Sequence, residues 1–297
     1  MRHGIVILPQ QPWAQARHLW RRAEELGFDS AWTYDHLSWR SLADQPWHAT
    51  LPTLTAAATV TSSIRLGTFV ASPNFRHPVP FAKEIATIDD ISGGRFQVGL
   101  GSGGTGFDAS VLGQAQLTPG ERHRRFEEFV AGLDVLLRHE PDGGTEGISF
   151  EGEFFTADRA RMVGTPAQSP RVPLLLAADG PKGVRLAARR GDGWITNGGG
   201  FDPDSGAPID AWWARVAELL EISREAEEQA GRRIERYLSL DSSPVFSLSS
   251  VAAFEDAAGR AAELGFDEIV THWPRADGIY SGDESVLDEV ASRFRRA

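Results

Sequence analysis

The sequence predicts an α/β fold, a (β/α)8 TIM barrel with insertions, formed by one domain over residues 1–297. Short apolar runs alternate along the chain with segments of helical period. The segment Ala23–Asp29 (AEELGFD) recurs as Ala261–Asp267 (AAELGFD), and a looser copy covers Ala187–Trp194. Each copy ends a helix at glycine and enters an apolar strand, at both ends and in the middle of the chain. This recurrence favours a closed ring of βα units over a doubly wound sheet.

Eight strands and eight helices alternate in this prediction, and their bounds follow from the apolar runs and helical periods. The predicted strands are Gly4–Leu8, Ser30–Tyr34, Ile64–Val70, Arg95–Gly101, Val172–Ala177, Gly193–Thr196, Arg236–Asp241 and Glu268–His272. The predicted helices are Ala14–Leu26, Thr53–Ser62, Pro80–Ile91, Glu121–Leu137, Gly183–Arg190, Asp210–Ala230, Val251–Leu264 and Glu284–Arg296.

The stretch from Ile64 to Gly104 illustrates how these assignments are made. Ile64–Val70 is apolar and β-branched without a helical period, as in a strand buried on both faces. Prolines stand where the next helix would begin, and Ser92–Gly94 ends it. Phe96–Leu100 is a second apolar strand, followed by the glycine cluster Gly101–Gly104. The stretch therefore predicts a βαβ unit whose bare backbone lets a bulky or phosphorylated ligand approach.

Two segments depart from the alternation of strands and helices. Residues 139–171 are expected to form an insertion after the fourth helix. Within it, Gly147–Phe155 (GISFEGEFF) alternates apolar and polar residues around a glycine, which predicts a small hairpin. Gly198–Pro208 is rich in Gly, Asp, Pro and Ser and is predicted to be a loop.

Composition narrows the class of partner. The chain has 30 basic and 41 acidic residues, a net charge of −11, so nucleic acid is not expected as a partner. It has no cysteine, which excludes disulfides and thiolate chemistry. Metal-ligand spacing, a signal peptide and an apolar run of membrane-spanning length are not apparent, so we expect a cytoplasmic protein without metal that acts on a small-molecule substrate.

In a (β/α)8 barrel the active site lies at the carboxyl ends of the strands. The second strand there delivers Asp35 and His36, with Trp39 just beyond, and the eighth delivers His272 and Trp273. The ends of strands four and six are rich in glycine, and the end of strand five precedes the start of a helix. Backbone N–H groups at such ends favour an anionic ligand.

Four motifs at these strand ends resemble a known family. They are TYDH at 33–36, RLGTFVASPNFRHP at 65–78, TIDDISGGRFQVGLGSG at 87–103 and LAADGPKGVRLAARRGDGWIT at 176–196. Together they resemble the bacterial luciferase-like superfamily of flavin- and deazaflavin-dependent oxidoreductases. The resemblance implies a barrel that binds FMN or the deazaflavin coenzyme F-420, with a homodimer as the expected assembly.

The resemblance also implies which residues contact the cofactor. The ring would lie over the strand ends, and the phosphate would lie near Gly180–Lys182 and Thr196–Gly198. A non-proline cis peptide is expected at Phe69–Val70, behind the ring. The full set of expected cofactor-binding residues is Asp35, Phe69, Val70, Ala71, Ser102, Gly103, Gly104, Ala177, Ala178, Asp179, Gly180, Pro181, Lys182 and Thr196.

His36 is the expected catalytic residue. The resemblance places it near the reactive carbon of the ring, where it could act as a general base or stabilise negative charge; without the resemblance, a structural hydrogen bond is the more common role for such a histidine. Asp35 is expected to hold this histidine or a ring edge, with a helix N-cap as the alternative. Trp39, His272 and Trp273 are expected to line the substrate pocket.

Two residues depart from the pattern of the family. Gly104 replaces an acidic residue of the deazaflavin sugar-phosphate dehydrogenases, which argues against that alcohol chemistry. Asp179 replaces a small neutral residue beside the phosphate loop and would repel phosphate unless it points away.

Three functions follow from the resemblance. The leading one is hydride transfer between coenzyme F-420 and a small organic substrate. The alternatives are an FMN-dependent monooxygenase supplied by a flavin reductase, and a catalytically silent flavin-binding protein.

Overall fold

A computed structural model describes residues 1–138, 147–164, 166–199 and 208–294, and it confirms the predicted barrel. Eight parallel strands close in the order β1-β10-β9-β8-β7-β4-β3-β2, and β5 and β6 form a separate two-stranded sheet. The strands are β1 (Arg2–Val6), β2 (Ser30–Thr33), β3 (Arg65–Ala71), β4 (Phe96–Leu100), β5 (Ile148–Glu151), β6 (Thr156–Ala160), β7 (Leu174–Ala177), β8 (Gly193–Thr196), β9 (Glu235–Ser239) and β10 (Glu268–His272).

The helices cover the outside of the barrel. They are α1 (Trp13–Leu26), α2 (Thr50–Ala58), α3 (Pro78–Ser92), α4 (Pro119–Leu137), α5 (Pro181–Arg190), α6 (Ile209–Ala230), α7 (Val251–Leu264) and α8 (Glu284–Phe294). Helix α2 begins three residues before the predicted Thr53 and ends at Ala58. Helix α3 begins at Pro78 because the ring of His77 accepts a hydrogen bond from Val79 N and caps the helix two residues earlier than predicted.

Two hydrophobic cores lie on opposite sides of the strands. The larger core fills the space between strands and helices and contains Trp20, Phe129 and Trp212. The smaller core fills the barrel interior, where Trp32 and Tyr237 are fully buried. This alternation of side chains along each strand is what a closed barrel requires, and it leaves the carboxyl ends of the strands free to form a site.

The repeated sequence forms the same junction twice. Gly27 ends α1 with φ of 89° and Gly265 ends α7 with φ of 88°, a left-handed conformation that favours glycine. The looser copy differs, because Gly191 ends α5 in an extended conformation with φ of −84°. Two of the three copies therefore end their helix with a left-handed glycine, whereas the third is similar to them only in sequence.

A hairpin forms here, but only its first strand lies within the predicted segment. Strand β5 pairs antiparallel with β6, which begins at Thr156, just after the predicted end at Phe155. Residues 139–146 and 165 of the predicted insertion, 200–207 of the predicted loop and the predicted helix end at Arg296 lie outside the described residues. Within the described ranges, no helix combines the length and apolar character needed to cross a bilayer.

Candidate active site

A cavity of about 1020 Å³ opens at the carboxyl ends of the barrel strands. Nine of the residues predicted from the sequence line it: His36, Trp39, Phe69, Val70, Ser102, Gly103, Gly104, Ala177 and Asp179. Residues that the sequence prediction missed also line it, among them Tyr34, Arg40, Asn74, Asp108, Ile195, Asn197, Ser239, Asp241, Ser243 and Tyr280. Four barrel strands (β2, β3, β4 and β7) and the loops after them thus bring the predicted residues to one place.

The floor of the cavity contains the cis peptide predicted at Phe69–Val70. The pairing of β3 with β4 changes register between Thr68 and Ala71, around this bond. A Cβ atom at Gly101 would lie 2.8 Å from Val70 Cγ2, so only glycine lets β4 pass this close to the bulge. Ala71, predicted to contact the cofactor, is instead fully buried in the outer core. Successive side chains of a strand face opposite sides of the sheet, so Ala71 points away from the cavity that Val70 lines.

His36 is held by a carboxylate from a different loop. Its Nδ1 lies 2.5 Å from Asp108 Oδ2, and Leu37 N donates to Asp108 Oδ1 at 2.9 Å. Asp108 is buried, whereas 34% of the His36 side chain is exposed. With Nδ1 donating to the carboxylate, the neutral ring keeps Nε2 as its acceptor. The pair is therefore built to take a proton from a group in the cavity.

The structure corrects the prediction for Asp35. Its carboxylate accepts from Arg76, with Arg76 Nη2 at 2.7 Å from Asp35 Oδ1, and only 2% of the side chain is exposed. Arg76 also lies over the ring of Phe81 at 4.6 Å. Asp35 therefore neither holds His36 nor lines the cavity nor caps a helix; it anchors the loop after β3 to the end of β2.

His272 and Trp273 point to opposite sides of the barrel. His272 lies behind the cavity wall, where its Nδ1 is 2.9 Å from Asp241 Oδ2 and its Nε2 is 2.7 Å from the Tyr34 hydroxyl. Trp273 belongs to the outer core and donates to Glu284 Oε1 at 3.1 Å. Adjacent residues at a strand end face opposite ways, so Trp273 does not line the pocket as predicted.

The Asp179 carboxylate, beside the expected phosphate site, is directed toward the end of β8. Asp179 Oδ1 accepts from Thr196 Oγ1 at 2.6 Å and from Asn197 N at 3.2 Å. Burial raises the pKa of Asp179, although these donors oppose the shift. The carboxylate therefore occupies two donors of the Thr196–Gly198 segment, and the expected phosphate contact there stays a prediction.

The remaining phosphate-end residues lie beside the cavity rather than in its wall. Gly180 is the N-cap of α5, and Pro181 is the first residue of that helix. The side chain of Lys182 is exposed. The carbonyl of Ala178 accepts from Trp194 Nε1 at 2.8 Å. Their predicted contact with a phosphate remains a prediction.

Asp108 is the functional residue that sequence reasoning missed. It lies 72 positions after His36, in the glycine-rich loop between β4 and α4, and only the fold brings the two together. No group of three or more His, Cys, Asp or Glu side chains that could hold a metal ion occurs in the part of the chain that the structure describes.

This chain is similar to known proteins in sequence and in fold. The family model described as luciferase-like monooxygenase matches residues 1–241. An F-420-dependent glucose-6-phosphate dehydrogenase of Amycolatopsis mediterranei is 31% identical over 272 residues, 85% of this chain and 78% of that protein. A protein of the same name from Beutenbergia cavernae is 37% identical over 329 residues, 92% of this chain and 91% of that protein.

A solved structure shares the fold along the whole chain. It is an F-420-dependent secondary alcohol dehydrogenase in complex with an F-420–acetone adduct, with a TM-score of 0.77 and 20% identity over 97% of both chains. The family match covers most of the chain, and the relatives that align over most of its length are oxidoreductases. With the closed barrel and the cis peptide at Phe69–Val70, these matches establish that the chain is an oxidoreductase and belongs to the luciferase-like monooxygenase family.

Proposed function

We propose that this protein is an F-420-dependent dehydrogenase that oxidises a hydroxyl-bearing carbon of a small organic molecule. The observation that carries the proposal is the His36–Asp108 pair at the edge of the cavity. Gly104 lacks the acidic side chain of related dehydrogenases, and Asp108 supplies a carboxylate from four residues farther along the same loop. The dehydrogenase names of the relatives that align over most of the chain support the same reaction class.

The residues present fit a deazaflavin. The cavity volume of about 1020 Å³ is at the upper end of ligand pockets, which suits a tricyclic ring together with a substrate. Phe69, Val70 and Ile195 offer an apolar floor for the ring. A Cβ atom at Gly104 would meet no heavy atom closer than 3.9 Å, so the backbone beside the ring is open. Gly180–Lys182 would hold the phosphate through backbone N–H groups.

The chain's own residues handle the proton of the reaction. When bound, the deazaflavin supplies a two-electron acceptor for the hydride that leaves the substrate carbon. His36 Nε2 accepts the hydroxyl proton as that carbon becomes a carbonyl carbon. Asp108 fixes the ring orientation through Nδ1 and stabilises the imidazolium that forms. Trp39, stacked on Trp47 with ring centroids 6.1 Å apart, walls the cavity next to His36.

Titration with both cofactors tests the proposal. We expect calorimetry and cofactor fluorescence to show saturable binding of F-420 and weaker binding of FMN. We also expect the F-420 complex to be reduced by an alcohol such as 2-butanol, with loss of the oxidised-cofactor absorbance. Tighter binding of FMN, or no binding of F-420, would contradict the proposal.

An FMN-dependent monooxygenase is the second candidate, and the description of the matching family supports it. That reaction needs reduced flavin from a reductase and molecular oxygen. It would appear as oxygen consumption by the protein with reduced FMN and a substrate, and it does not require His36 to accept an alcohol proton.

A further inference from the structure

A second hydrogen-bonded network, separate from the His36–Asp108 pair, also reaches the cavity. It joins Asp241, His272, Tyr34 and Tyr280. His272 Nδ1 lies 2.9 Å from Asp241 Oδ2, His272 Nε2 lies 2.7 Å from the Tyr34 hydroxyl, and the two tyrosine hydroxyls are 3.1 Å apart. Asp241, Tyr34 and Tyr280 line the cavity, and His272 is 1% exposed behind them. The proposed reaction uses none of these four side chains.

The number of available protons determines which group donates in each hydrogen bond of this network. Asp241 accepts from His272 N at 2.6 Å, from Thr271 Oγ1 at 3.1 Å and from Ser247 N at 2.8 Å. A carboxylate surrounded by donors is ionised and requires a proton on His272 Nδ1. In the neutral ring Nε2 must then accept, so Tyr34 donates to it. Tyr34 has no second proton, so Tyr280 donates to Tyr34.

Tyr280 is held firmly in this arrangement. Its ring stacks on His272 with centroids 3.8 Å apart and faces Trp39 at 6.5 Å. Its backbone has φ of 60°, in the left-handed region that an aromatic residue rarely adopts. Such a conformation persists only where the surroundings impose it, and it clusters at functional sites. The Tyr280 oxygen, whose proton is committed to Tyr34, is left with lone pairs for a group in the cavity.

We propose that Tyr280 is a specificity-determining residue whose oxygen accepts a hydrogen bond from a second donor group of the substrate. The inference rests on the proposed dehydrogenase function, since His36 Nε2 is the acceptor for the reacting hydroxyl. One hydroxyl carries one proton and cannot satisfy both acceptors. The preferred substrate therefore carries a second hydroxyl or an amine in addition to the hydroxyl that is oxidised, and a vicinal diol is a simple example.

Kinetics with two small alcohols test this preference. With bound F-420, we expect kcat/KM for 2,3-butanediol to exceed that for 2-butanol by about tenfold, the value of one hydrogen bond. Tyr280→Phe should abolish the preference by lowering only the diol value. Tyr237→Phe is the matched control, because Tyr237 donates to Glu235 Oε2 at 2.6 Å at the opposite end of the barrel, and it should keep the preference. Equal kcat/KM values in the wild type, or turnover of neither alcohol, overturn the proposal.

Nitrogen NMR of histidine tests the direction of the hydrogen bonds in this network without any cofactor. We expect His272 to be a neutral ring protonated at Nδ1, and Tyr34→Phe to shift its Nε2 resonance while the His36 signals stay in place. An imidazolium, or a neutral ring with its proton on Nε2, would make Nε2 the donor to Tyr34 and free the Tyr34 proton for Tyr280, which overturns the proposal. If F-420 does not bind, the proposed function fails, whereas this measurement still decides whether Tyr280 is an acceptor.

Discussion

At the scale of single residues, the proposed base His36 is oriented by a carboxylate that hydrogen-bonds to its Nδ1. The carboxylate that orients it comes from Asp108, on the loop after β4, and not from the neighbouring Asp35. Asp35 is committed to Arg76, whose guanidinium forms a two-pronged ion pair with it. Two sequence neighbours at a strand end thus have different roles: His36 acts in the proposed reaction, and Asp35 fixes the loop after β3.

Replacing His36 separates the catalytic role from a structural one. We expect His36→Ala to lower turnover by roughly 10²–10⁴-fold, because general base catalysis contributes about that much. F-420 affinity should change little, since backbone contacts and the apolar floor dominate it. Steady-state kinetics, calorimetry and urea unfolding measure the three quantities. Near-normal turnover combined with lost stability would show that His36 is only a structural hydrogen-bonding residue.

Gly180 allows a test of phosphate binding with little risk to the fold. A Cβ atom there would meet nothing within 4 Å, and φ of −137° suits any residue. Gly180→Leu should therefore keep the free energy of unfolding while its side chain obstructs the first turn of α5. Binding of F-420 should weaken, and binding of a deazaflavin fragment without phosphate should not. An equal loss of both affinities would argue against a phosphate at this position.

At the scale of an element, two glycines of α7 have opposite effects. Gly265 ends the helix with φ of 88°, so Gly265→Ala should destabilise the protein by about 1 kcal/mol or more. Gly259 lies inside the same helix with open space around it, so Gly259→Ala should stabilise the protein by about 0.5–1 kcal/mol. Urea unfolding of both variants checks the pair. Changes of the same sign would mean that Gly265 does not need its left-handed conformation.

At the scale of the whole molecule, the periodicity and the glycine junctions were enough to predict the barrel. Strand ends located Trp39, Val70 and Gly103 in the cavity because parallel strands share one carboxyl edge. Asp108 and Tyr280 could not be predicted this way. They lie in irregular loops, whose path over the barrel depends on packing rather than on any period in the sequence.

The stability of the whole chain should depend on Glu24. This carboxylate accepts from Ser62 N at 2.9 Å, Ser63 N at 2.6 Å and Ile64 N at 3.0 Å, tying the end of α1 to the segment before β3. Burial opposes ionisation, but these backbone donors outweigh it and lower the pKa of Glu24 to about 2. A lowered pKa in the folded state adds stability above the ordinary value of 4.5, which is lost as pH falls toward 2.

Glu24→Gln measures that contribution. The wild type should exceed the variant by about 1–2 kcal/mol at pH 7, after allowance for solvent screening of a partly exposed group. The difference should shrink between pH 4.5 and pH 2 as the carboxylate is protonated. Urea unfolding of both proteins at pH 7 and pH 3 gives the comparison. A difference that stays constant would show that the ionised form is not what stabilises the junction.

The loop that carries Asp108 links the shape of the cavity to the orientation of the His36 ring. It also contributes Gly103, Gly104 and Phe107 to the cavity wall, and Gln114 Nε2 fastens it to the Asn74 carbonyl at 2.8 Å. A displacement of this loop would therefore change the shape of the cavity and also remove the carboxylate that orients the His36 ring.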